Sequence, residues 1–252
     1  MTLKKRLFPI HILVFSLFLG CAPKEEVRDN PPNIIYILAD DLGYGDLSIY
    51  NQDSKIKTPH LDQLAREGMR FMDMHSTSSV CTPTRYSILT GEYAWRTSLK
   101  TGVLWSYGPL MIPDQKETVA KLLKRNGYQT AVVGKWHLGL DWQLKSDPQP
   151  EQIIQNDWSL ITDYKEEIVD FSKNPSKGPT QVGFDYSYIL PASLDIPPYV
   201  YLENEKFTQP INDRTDGSNM EGDKDYDFWR PGPMAEGFDF YEVLPNFIDK
   251  AK

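Results

Sequence analysis

The run Ile34-Ile35-Tyr36-Ile37-Leu38 is continuously apolar, rich in β-branched residues, and stops at Ala39-Asp40-Asp41. A segment of this kind reads as a strand buried on both faces, the mark of a parallel sheet flanked by helices. It predicts an α/β fold with a mostly parallel central sheet. Ligands of open α/β sheets bind beyond the carboxyl ends of the strands, so Asp40 and Asp41 stand where function is expected. Adjacent carboxylates repel unless a cation separates them, and a hard divalent ion such as Ca²⁺ or Mg²⁺ prefers oxygen ligands. The same pair also reads as a solvated turn that ends the strand near Gly43.

With 252 residues, 40% hydrophobic and 25% charged, the chain is long enough and apolar enough for a substantial core. Its 27 Lys and Arg against 35 Asp and Glu give a formal charge of −8, which argues against wrapping nucleic acid or coating anionic membranes. A small anion can still bind at a local cationic site. The two cysteines, Cys21 and Cys81, lie in settings too different for a framework disulfide.

Lys4, Lys5 and Arg6 precede an apolar stretch, Leu7 to Leu19, closed by Gly20-Cys21. The stretch is too short to span a bilayer as a stable helix. It looks like a bacterial lipoprotein signal, whose cleavage leaves Cys21 as a lipidated N-terminus. The alternative is an ordinary secretory signal with an incidental cysteine. Either implies export, and a lipid anchor at Cys21 implies the periplasm or the outer membrane and cell surface. The expected organisation is a signal over 1–21, a Pro-containing charged linker over 22–33, and a folded body over 34–252, with no second-domain linker and no internal repeat.

Along the body, Thr58-Pro59 signals a helix start with Leu61, Leu64 and Ala65 as its apolar stripe and Gly68 as its stop. His60 reads as an exposed first-turn residue, and Met69 to Met74 as a second strand. In Cys81-Thr82-Pro83-Thr84-Arg85-Tyr86-Ser87-Ile88-Leu89-Thr90-Gly91, Pro83 fits a first helical turn and Gly91 a stop, which places Cys81 at a helix N-terminus. Such an end carries partial positive charge and unpaired N–H groups and attracts anions. Arg85, one turn on, adds a fixed cation on the same side. A lone thiol without these neighbours would read as a buried structural cysteine.

Glu117 to Asn126 shows Val119, Leu122 and Leu123 on one face and a stop at Gly127, hence a helix. The short apolar strand from Tyr128 to Gly134 then ends at Lys135-Trp136-His137-Leu138-Gly139. Lys135 and His137, two apart on an extended chain, are expected to face one pocket. Carboxylates, an activated cysteine and three potential cations (Arg85, Lys135, His137) suit metal-assisted attack on an oxyanion ester.

These residues resemble the type I sulfatases of the alkaline phosphatase superfamily. Cys81-Thr82-Pro83-Thr84-Arg85 matches their Cys-x-Pro-x-Arg signature, and Leu89-Thr90-Gly91 its extension. Gly134-Lys135-Trp136-His137-Leu138-Gly139 matches a second block, while Ile37 to Gly43 and Thr58-Pro59-His60-Leu61-Asp62 match the opening ones. The resemblance implies that Cys81 is oxidised by a maturation enzyme to formylglycine, whose hydrate is the nucleophile. It implies a Ca²⁺ site, with Mg²⁺ possible, drawing on Asp40, Asp41 and residue 81. Arg85 would stabilise the hydrate and metal end, Lys135 would hold sulfate oxygens, and His137 would help expel sulfate. A second sulfate-side His found in many members has no match among His60 and His75, which leaves Ser193 or Asp195 as substrate-contact candidates.

The family's downstream metal-ligating Asp-Asn pair and sulfate-binding Lys have no counterpart either; Asn212-Asp213 reads as loop, and the end at Phe247 to Lys252 as mid-helix. The chain is therefore expected to be the N-terminal part of a sulfatase catalytic domain, poorly active by itself. Asp141 to Pro233 is Pro-rich, contains the strand-like Tyr199 to Leu202, and reads as a loop-rich wall facing the substrate. Its aromatic residues would stack on sugar rings or simply pack the interior. The expected substrate is a sulfate ester on a carbohydrate. A phosphatase of the same superfamily would be expected to use an unmodified Ser or Thr with two metals, against which Cys81 speaks. A sulfatase-derived, non-catalytic glycan-binding lipoprotein is the alternative from another class.

Overall fold

The computed structural model describes residues 31–155, 162–218 and 228–252. The expected signal, Cys21 and most of the linker lie outside them. The described chain divides into two compact units, one ending at Asp62 and one beginning at Gln63.

In the first unit the apolar run takes no strand conformation. Ile35 is 85% and Ile37 82% exposed, so the expectation of a doubly buried strand ending at Asp40 and Asp41 does not hold. A strand needs a neighbour for its N–H and C=O groups, and this unit contains no other strand among the described residues. What organises the unit is a carboxylate. Asp62 accepts hydrogen bonds from the hydroxyls of Ser48 (2.7 Å) and Thr58 (2.9 Å) and from the amide of Ile49 (3.0 Å). Helix α1 (Pro59–Glu67) starts and stops near the expected residues, but Leu61 and Leu64 of its apolar stripe are exposed, and Ala65 is half-buried.

In the second unit Met69 to Met74 is likewise exposed and outside any strand, contrary to expectation; its apolar residues have no facing ladder. Helix α2 (Cys81–Thr90) begins at the cysteine and ends at Gly91, whose φ of 70° closes the last turn as only glycine does cheaply. Thr82 and Tyr86, one turn apart, are its inward face. Helix α3 (Val119–Arg125) is capped by Thr118, which accepts from the Lys121 amide and donates to the Val182 carbonyl.

Strand β1 (Ala131–Lys135) follows, then the short antiparallel pair β2 (Ile153–Gln155) and β3 (Thr162–Tyr164). The buried strand β4 (Tyr186–Leu190) lies parallel to β1, with Lys135 opposite Leu190. Beyond it β5 (Leu202–Glu203) and β6 (Lys206–Phe207) add antiparallel to the sheet, giving the order β1-β4-β5-β6. The class is α/β, with a mixed sheet: one parallel pair and two antiparallel pairs. Tyr199 to Tyr201 remain outside the strand.

Strands β7 (Ile211–Thr215) and β8 (Gly232–Ala235) form a separate antiparallel pair. Asn212 and Asp213 thus belong to a strand, contrary to the loop expected; it is an exposed edge held by its ladder, with no apolar run to announce it. Helix α4 (Val243–Ala251) ends the chain.

The core gathers α2, the 99–112 segment, the residues after β1, and β4, around Tyr86, Leu104, Ile112, Leu138 and Ile189. Chain crossings there are tight. The Met111 amide donates to the Leu138 carbonyl and the Leu140 amide to Gly108, so two backbones run side by side. Gly139, at φ 76°, lies where a Cβ would stand 2.0 Å from the Pro109 carbonyl oxygen. Substituting Gly139→Ala should therefore lower unfolding stability by about 2 kcal/mol or more, seen as an earlier urea midpoint in tryptophan fluorescence.

Candidate active site

The site is built on the carboxyl end of β1. Pairing with β4 does not stop at Lys135: the Trp136 amide donates to the Leu190 carbonyl and the His137 amide to Pro191, each at 3.0 Å. At His137 the chain turns to φ 54°, so the alternation expected to aim Lys135 and His137 alike ends before His137. The two reach the site by different routes.

Lys135 Nζ lies 3.0 Å from Cys81 Sγ, and the Arg85 guanidinium donates at 2.7 Å to the Lys135 carbonyl. Helix α2 and strand β1 are thereby tied together through the residues singled out in the sequence. Cys81, Arg85 and Lys135 are all half-buried, open enough to meet a ligand and enclosed enough for their charges to count.

His137 is buried. Its Nε2 lies 2.8 Å from the Leu104 carbonyl, an acceptor only, so Nε2 carries the proton and donates. Nδ1 is buried and without a hydrogen-bond partner among the described residues. Burial, with further push from Lys135 and Arg85, lowers this imidazole from 6.5 to about 4. It is neutral at physiological pH. Of the three potential cations, His137 is thus a neutral imidazole offering a lone pair, beside Lys135 and Arg85.

Of the substrate-contact candidates, Ser193 is buried and Asp195 half-buried. Asp195 pairs with Arg230 at 2.5 Å. Burial alone would raise its carboxyl, but hydrogen bonds from Ser193 and Arg230 prevail and hold it below the ordinary value. The Arg230 guanidinium lies 5.3 Å from the Trp105 ring centre and 4.8 Å from that of Phe228, both rings partly exposed. Sequence reasoning missed Leu104, which acts through its main chain and so leaves no signal in residue type. It also missed the partnership of Arg230 with Trp105.

Asp40 and Asp41 are exposed and belong to the first unit. Among the described residues no group of three or more His, Cys, Asp or Glu side chains gathers as a metal site would.

Comparison with known proteins places these features in one family. The Sulfatase family model matches residues 32–213, and the chain belongs to the sulfatase family. Among curated relatives, an N-acetylgalactosamine-6-O-sulfatase of Bacteroides thetaiotaomicron is 38% identical over 204 residues, 79% of this chain and 35% of its own length. Human arylsulfatase A is 48% identical over 125 residues, 50% of this chain and 24% of its own. A solved structure, described as a 6S-sulf protein in the metabolism of multiple glycosaminoglycans by Bacteroides thetaiotaomicron, superposes with a TM-score of 0.66. It is 29% identical and covers 87% of this chain and 47% of its own. The chain thus spans about a third of that curated bacterial relative. The family in general works with formylglycine and a divalent cation.

The buried imidazole carries a pH signature. Its folded value lies below the unfolded one, so its neutral form supports the fold above pH 6.5 and that support is lost as pH falls toward about 4. Urea unfolding across this range should show the decline, and His137→Gln should flatten it.

Proposed function

We propose that the protein carrying this chain is an exported sulfatase that hydrolyses a sulfate ester on a carbohydrate, with formylglycine formed from Cys81 by a maturation enzyme. The observation that carries this reading is the contact of Lys135 Nζ with Cys81 Sγ, with Arg85 bound to the carbonyl of the same lysine. A cation within reach of residue 81 is what an incoming sulfate needs, because charge spreads over its oxygens in the transition state.

Formylglycine, as its hydrate, supplies an oxygen nucleophile for sulfur. The orphaned Nδ1 of His137 fits such a group, since it is a buried acceptor with no donor to satisfy it among the described residues. Lys135 would hold sulfate oxygens, Arg85 keeps Lys135 in place and adds positive charge, and neutral His137 would take at Nδ1 the proton of the second hydroxyl on residue 81 as sulfate leaves and the aldehyde re-forms. A divalent cation, Ca²⁺ or Mg²⁺, belongs to the family's chemistry. The roles proposed here fall to side chains alone.

The sugar-bearing substrate is supported by the bacterial relative, an N-acetylgalactosamine-6-O-sulfatase. Trp105 and Phe228 offer partly exposed ring faces, and Asp195, held by Arg230, offers acceptors for sugar hydroxyls. Export and a lipid anchor at Cys21 complete the proposal and rest on the sequence of residues 1–21.

The test is to express the protein with and without a formylglycine-generating enzyme. The mass of the peptide carrying residue 81 and the turnover of an aryl sulfate and of 6-sulfated N-acetylgalactosamine are then measured. Conversion together with turnover is expected. An unmodified cysteine and no turnover in both hosts would overturn the reading in favour of a non-catalytic glycan-binding lipoprotein. Lys135→Ala should lower kcat/KM about a hundredfold, and Cys81→Ala should leave no measurable turnover.

A further inference from the structure

We propose that Thr82 is a positioning residue that fixes the tautomer of His137 through the main chain of Leu104. The inference rests on the sulfatase reading for its catalytic consequence, and on geometry alone for the tautomer.

Thr82 follows the cysteine in the first turn of α2 and points inward. Its Oγ1 accepts the Leu104 amide at 3.2 Å, and the Leu104 carbonyl accepts His137 Nε2–H at 2.8 Å. Thr82 is 0%, Leu104 2% and His137 2% exposed, so bulk water cannot replace either bond. The imidazole has two neutral tautomers of similar intrinsic energy, and the partner of one nitrogen decides which is populated. A carbonyl at Nε2 selects Nε2–H and leaves Nδ1 bare.

The ring would otherwise have another option. With Nδ1 buried and unpartnered, a small shift of Leu104 would remove the only hydrogen-bond partner described for the ring and let the proton sit on either nitrogen. The main chain of His137 is already held by its amide bond to Pro191. Leu104 is held at its own amide by Thr82. One hydroxyl on the helix that begins with the nucleophile therefore sets the position of the carbonyl that sets the tautomer of the base. Side-chain partners of a functional histidine act in this way on metal-bound imidazoles, where their loss costs about ten- to a hundredfold in affinity or activity.

The experiment compares Thr82→Val, isosteric but without the acceptor, with Thr82→Ser, which restores it, in protein co-expressed with a formylglycine-generating enzyme. The tautomer is read from ¹⁵N shifts of labelled histidine at pH 7, with His137 assigned by difference from His137→Gln. Activity is normalised to the formylglycine content of the residue 81 peptide, which separates a maturation defect from a catalytic one. The unsubstituted protein should show protonated Nε2 and bare Nδ1. Thr82→Val should show mixed tautomers, with kcat lowered about ten- to a hundredfold and KM within about twofold, and Thr82→Ser should recover both readouts. A protonated Nδ1 in the unsubstituted protein overturns the proposal even if no variant folds, as does a Thr82→Val protein with unchanged tautomer and kcat. Absent turnover in every form, with the tautomer shift intact, would reject the sulfatase reading and leave the tautomer relay standing.

Discussion

The parallel pairing of β1 with β4, carried two residues past the strand proper, is the constraint on which the site depends. A strand that ended at Lys135 would leave the following residues to a free loop. Here the amides of Trp136 and His137 go to the carbonyls of Leu190 and Pro191, and the chain is held until it turns at His137. Lys135 is thereby presented to Cys81 from a fixed backbone, and the imidazole enters the interior where Leu104 meets it. The tight crossing at Gly139 and Pro109 follows directly, because the chain must leave the site beside the 108–111 segment. Loss of side-chain volume at Gly139 and gain of a carbonyl contact at His137 are two results of the same turn.

What was legible in the sequence was whatever depends on short range. Pro83 in the first turn and Gly91 at the stop marked α2, the apolar face of Glu117 to Asn126 with its stop at Gly127 marked α3, and the apolar stretch Tyr128 to Gly134 foretold β1. The trio Cys81, Arg85 and Lys135 was legible because a helix N-terminus and a strand end are local objects, even though fifty residues separate their cation partners. Two strands were misjudged because apolar composition states a demand for partners and does not supply them. Ile34 to Leu38, continuously apolar, and Met69 to Met74, imperfectly alternating, are both outside any strand and exposed. Asn212 and Asp213 failed in the opposite sense, since a polar edge strand is held by its neighbour's backbone and shows no pattern of its own.

The charge at His137 was left open by the sequence. Residue type makes histidine a possible cation, and burial next to Lys135 and Arg85 makes it neutral. Nothing local to Gly134 to Gly139 announces that burial, because it arises from Leu104 and the packed residues around it. Asp62 gives a parallel lesson within the other unit. It lies in a block shared with the sulfatases, yet its carboxylate is occupied by Ser48, Thr58 and the Ile49 amide, so its work is to pin a loop to the start of α1.

The bond from Arg85 to the Lys135 carbonyl bears on timing. A guanidinium on a long side chain normally loses rotamer freedom when a ligand arrives, and that loss opposes binding. Arg85 has already lost part of it on folding, because one of its N–H groups is committed to the main chain of β1. Its direction is set before any anion reaches the helix terminus. A visiting anion then meets a charge that needs little reorientation, so the ordering cost falls on the stability of the empty protein and is absent from the encounter.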